Sequence, residues 1–78
     1  MAFTQDLLEE MNVLNMFNLE SMQEGIKVHS SAAKLVVEAA FRLYEKGMIT
    51  QKDGGFLTNR GLVAAQHCQT LCGLLTIK

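Results

Sequence analysis

The sequence predicts a mainly α fold in one domain spanning residues 1–78, with three to four helices and one short β-hairpin. Three observations predict it. Apolar residues recur at helical spacing in three long segments, each opened by a Ser or Thr. A Lys52-Asp53-Gly54-Gly55 string separates two short β-prone runs near 48–51 and 56–58. Apolar residues make up 49% of the 78, with no Pro to interrupt a helix.

The first helix is expected from Thr4 to about Phe17. Thr4 is a good N-cap, and Asp6 faces the positive end of the helix dipole. Leu7, Met11, Leu14 and Phe17, with Leu8 beside them, form one apolar stripe. Phe3 and Leu8 have the spacing of a hydrophobic staple. Glu9 and Glu10 are adjacent, so they point in different directions and read as a solvated helix face. The five Met residues read as core filling. Asn18 is placed to cap a short turn of helix, Leu19 to Glu24, closed by Gly25. Ile26 and Val28 alternate with Lys27 and His29, which looks like a short extended piece.

The next helix is expected from a cap at Ser30 or Ser31 to Lys46, with Gly47 as its left-handed terminator. Lys34, Glu38, Arg42 and Glu45 share roughly a quarter of its circumference, at about 100° per residue. Their signs alternate, as in a solvent-facing ladder of i,i+4 pairs. Apolar residues fill most of the remaining surface, so this helix is expected to be central and largely buried. In the hairpin, Asp-Gly and Gly-Gly supply the positive φ of a tight turn. Thr58 then caps the last helix, Asn59 to about Thr76, with Leu57 and Leu62 as a second staple.

Composition excludes several classes. A high apolar fraction with a net charge of −1 argues against disorder. Two cysteines are too few for a disulfide-stapled secreted miniprotein. No apolar run approaches the roughly 18 residues of a membrane span. The opening residues lack the basic and apolar regions of a signal peptide. A soluble cytoplasmic protein is therefore expected. Residues 1–26 hold five acids and no base, whereas 27–78 hold seven bases and three acids. A domain this small buries only about 60–65% of its unfolded surface. Its apolar surplus is better satisfied by a second copy, so a homodimer is expected, or another protein as partner.

The string from Arg42 to Gly61, RLYEKGMITQKDGGFLTNRG, is similar to the end of winged-helix transcription regulators. There a helix ends in a leucine, some charges and "KGLI", a wing hairpin follows, and the chain re-enters a helix through "LT.KG". The matching elements here are Leu43, Glu45-Lys46-Gly47-Met48-Ile49 and Leu57-Thr58-Asn59-Arg60-Gly61. The resemblance implies a small winged-helix-like domain. It would make the helix before the hairpin a DNA-reading helix and Lys52 to Gly55 the wing tip. On that reading Lys34, Arg42, Lys46, Lys52 and Arg60 are the candidate nucleic-acid contacts. The whole chain also resembles a family of small uncharacterised bacterial proteins. The shared segments are MAFTQDLLEE, NLESMQEGIKVHSSA and KGMITQKDGGFLTNRG. That family has no established activity and so implies no function.

Little here carries chemistry. Cys68 and Cys72 with His67 form at most a partial zinc set, and small buried thiols in a core or dimer seam fit them better. Asp53-Gly54-Gly55 lacks the lysine and the strand–loop–helix setting of a phosphate loop. Ser30 and Ser31 have no evident base and read as caps. The expectation is a non-catalytic binding module without cofactor, metal or membrane: a protein-interaction domain acting as a homodimer. Its candidate seam on the last helix is Ala64, Cys68, Leu71, Cys72 and Leu75. A DNA-binding regulator is the alternative.

Overall fold

The computed structural model describes residues 2–21 and 23–77. In chain order the elements are helix α1 (Gln5–Leu14), strand β1 (Ile26–Lys27), helix α2 (Lys34–Glu45), strands β2 (Ile49–Gln51) and β3 (Gly54–Leu57), and helix α3 (Asn59–Leu75). The fold is mainly α, with a small antiparallel sheet in the order β1-β3-β2. Val13, Leu14, Phe17, Val28, Ala39, Ala40, Leu43, Ile49 and Ala65 form one buried core shared by all three helices and the sheet.

α1 begins as its capping chemistry dictates: the Thr4 hydroxyl accepts a hydrogen bond from the Leu7 amide. It stops at Leu14 rather than Phe17. The Met16 and Phe17 amides turn back to the carbonyls three residues earlier, tightening the chain while Phe17 still enters the core. Leu14 and Phe17 are buried from the expected stripe, and so is Val13 beside it. The staple pair Phe3 and Leu8 is exposed. Of the methionines expected to fill the core, Met48 packs against it, Met11 is half-buried and Met16 is exposed; Met1 and Met22 lie outside the described residues.

The expected short helix from Leu19 to Glu24 does not form among the described residues. Asn18 organises turns instead. Its side-chain oxygen accepts from the Glu20 amide, its Nδ2 donates to Glu24, and its carbonyl accepts from the Ser21 amide. Asn competes well for nearby backbone groups, and two successive turns use them up before a helix can propagate. α2 also starts later than expected. His29 to Ala32 closes a turn, and the N-cap is Ala33, without a side-chain bond. Ser30 and Ser31 therefore do not cap it.

α2 is central but not largely buried. Ala39, Ala40 and Leu43 face the core, while Leu35, Phe41 and Tyr44 are exposed. It packs against α1 and β2. Gly47, at φ 77°, ends the helix turn as expected.

The hairpin turns at Lys52-Asp53, and both glycines belong to β3. They take φ of 129° and 75°. A Cβ on Gly54 would lie 2.4 Å from the Ile26 carbonyl oxygen. The glycine pair thus does more than turn the chain, because it admits β1 against β3 with Ile26 opposite Gly55 and Lys27 opposite Gly54. Thr58 then joins two helices. Its hydroxyl accepts from the Gly61 amide and donates to the Gly47 carbonyl at 2.6 Å.

Candidate functional site

α3 divides into two parts. Its buried positions, Gly61, Ala65 and Cys68, all lie in the first ten residues. Gly61 sets how closely the helix docks, since a Cβ there would sit 1.8 Å from the Met48 carbonyl oxygen. Gln69 anchors the helix by donating to the Leu14 and Phe17 carbonyls where α1 ends. Beyond Cys72 the helix overhangs the domain. Leu71, Leu74, Leu75 and Ile77 are 51%, 64%, 75% and 72% exposed.

The sequence-predicted seam residues fall on both sides of this division. Cys68 points into the chain's own core and its thiol donates to the Met11 carbonyl at 3.6 Å. Cys72 is half-buried and accepts a hydrogen bond from the Asn15 amide group. Ala64 is half-buried, whereas Leu71 and Leu75 are exposed. Val63 and Leu74, which the sequence reading passed over, are exposed on the same helix.

Two of the candidate nucleic-acid contacts are paired with α1. Arg42 donates to Glu10 at 2.9 Å and to the Asp6 carbonyl at 3.2 Å. Lys46 donates to the other Glu10 oxygen. Two of the five cations are thus engaged by α1. Lys34 and Arg60 are exposed at the starts of α2 and α3. Lys52, at the hairpin turn, lies 5.9 Å from the centre of the Phe41 ring.

Glu10 is the largest departure from the sequence reading. It is 5% exposed, not solvated. Burial pushes its carboxyl up, but the hydrogen bonds from Lys46 and Arg42, with their charges, pull it further down, and it ends below its ordinary value. The Arg42 guanidinium is held above its ordinary value, chiefly by the Glu10 hydrogen bond. The i,i+4 ladder expected along α2 is replaced at Arg42 by this cross-helix cluster. The acidic start and the basic remainder of the chain therefore meet inside the molecule. A signal was present in the sequence: Asp6 and Glu10 are four apart on one helix, and Arg42 and Lys46 are four apart on another. Two such pairs match when the helices pack face to face.

The model of a protein family of unknown function, DUF5669, matches residues 1–76. The chain belongs to that family. No curated protein and no solved structure is significantly similar to the chain. The winged-helix resemblance of the 42–61 string is not confirmed by these comparisons. Within this DUF5669 chain a single helix lies between β1 and β2 among the described residues. Burial pushes the Cys68 thiol above its ordinary value, with Cys72 adding to the shift, and a thiol so held is a poor nucleophile. Among the described residues, no three His, Cys, Asp or Glu side chains gather as a metal set would, and no helix is long and apolar enough to cross a membrane.

Proposed function

We propose that this protein is a non-catalytic interaction module that self-associates through the overhanging end of α3. One observation supports the reading: Leu71, Leu74 and Leu75 near the end of α3, and Ile77 just past it, are all more than half exposed. Scattered exposed leucines are ordinary on a surface, but a cluster on a projecting helix is a surface for another apolar face. A second copy supplies one with the same residues, and an antiparallel pairing of two such ends closes by two-fold symmetry. The domain is small enough for the added burial to matter. The DNA-binding reading is disfavoured because Arg42 and Lys46 are held by Glu10.

Sedimentation velocity tests the proposal. The expected result is a dimer at micromolar concentration that Leu74→Asp converts to a monomer with an unchanged far-UV spectrum. A wild-type chain that stays monomeric at high micromolar concentration would overturn it.

A further inference from the structure

Two hollows flank the exposed Phe41 ring, which with Val37 lines both. The larger, about 520 Å³, is rimmed by Asp6, Glu38 and Arg42. Arg42 is already engaged by Glu10 there, so that hollow offers carboxylates to a ligand. The other, about 440 Å³, lies between β1, the hairpin turn and α2. Its rim carries Lys27, His29, Ser30 and Lys52. Asp53 is the one carboxylate on that rim, and Lys27 reaches it at 3.8 Å with both side chains well exposed. An exposed pair of this kind is weak and exchanges readily for another anion. The buried Glu10 cluster holds its cations, whereas this rim leaves its cations accessible.

We infer that this second hollow binds a small aromatic phosphate of about the size of a nucleoside monophosphate. The volume falls within the range of small-ligand sites, roughly 300–1,000 Å³. Phe41 and Val37 supply an apolar floor on which a flat ring lies. The exposed Lys52 side chain, with its ammonium 5.9 Å from the Phe41 ring centre, yields the ring face to a ligand's ring and meets the phosphate joined to it. Lys27, His29 and the Ser30 hydroxyl add donors around the same opening. A ring without charge leaves the lysines idle, and phosphate without a ring leaves Phe41 uncovered. Affinity therefore depends on both parts being joined in one molecule.

The test is an amide chemical-shift titration of the labelled 78-residue chain with adenosine monophosphate, and separately with adenosine and with inorganic phosphate. Adenosine monophosphate is expected to move the amides of residues 27–30, 37–41 and 52–53. Adenosine and inorganic phosphate should each bind at least tenfold more weakly. Lys52→Glu and Phe41→Ala change exposed side chains and should keep the dispersed spectrum of the folded chain. Each should weaken adenosine monophosphate at least tenfold. The inference fails if millimolar adenosine monophosphate leaves those amides in place, if either variant binds it as the wild type does, or if the shifts fall on the end of α3. Running the titration on Leu74→Asp as well separates this site from self-association, because the hollow shares no residue with the overhang.

Discussion

The seam between α1 and α2 and the outer end of α3 invert the usual distribution of side chains. At the seam a carboxylate is buried between two cations. At the outer end of α3, leucines face solvent. Charge hides where the chain meets itself, and apolar surface shows where the chain leaves itself. The first region is complete: Glu10 accepts from Arg42 and Lys46, and no buried side-chain polar atom lacks a partner among the described residues. The second has its backbone bonds but leaves Leu71, Leu74 and Leu75 more than half exposed. Buried charge therefore marks internal packing in this protein, and the exposed apolar end of α3 is the surface proposed for self-association.

The two glycines of α3 give the largest contrast in sign. Gly61→Ala forces a methyl onto the Met48 carbonyl, and backbone cannot rotate aside as a side chain does. A loss of about 3 kcal/mol is expected in urea unfolding, at the top of the usual range for overpacking. A smaller loss than for an ordinary surface change would mean that α3 docks less tightly than described. Glu10→Gln comes next, with about 2 kcal/mol lost near pH 7, because Arg42 and Lys46 keep their charges but lose the carboxylate. Both cations are partly exposed and can rehydrate, which keeps the loss below that of a fully buried pair.

That second effect carries a pH signature. The Glu10 carboxyl lies below its ordinary value of 4.5 in the folded chain. Its stabilisation is therefore fully present above the unfolded value and fades as pH falls through the folded one. Wild type and Glu10→Gln should differ most near neutrality and converge in acid. Parallel stability curves down to low pH would show that the cluster contributes packing but not charge.

Smaller still is Gly73→Ala, on the overhang. Nothing lies within 4 Å of a Cβ there, and the residue is inside a helix. A gain of about 0.5–1 kcal/mol is expected, from the entropy a glycine loses on folding. A loss would show that the outer end of α3 already packs on something. Leu74→Asp should change monomer stability least, by less than about 0.5 kcal/mol, while having the largest effect on association. A variant that unfolds the chain would place Leu74 in the core after all.

Local chemistry was legible wherever one residue decides a local event. Thr4 and Thr58 cap their helices, Gly47 ends α2, and the Lys52–Gly55 string makes the hairpin. These outcomes depend on neighbours within four residues, and the sequence lays those neighbours side by side. The seam candidates were legible only in part. Leu71 and Leu75 are exposed, but Cys68 faces the chain's own core and Cys72 meets Asn15. Periodicity gives the face a residue occupies and is silent on what stands opposite.

By itself, then, the sequence determined the helix starts at Thr4 and Thr58, the hairpin and the mainly α class. Tertiary structure alone decided that Glu10 is buried, that β1 lies on the glycines of β3, that one side of α2 stays open and that α3 outruns its core. The physical reason is distance along the chain. Caps and turns draw on free energies fixed within a few residues, whereas burial depends on which segments meet. Glu10 is 32 residues from Arg42 and 36 from Lys46, and only the packed fold brings them together.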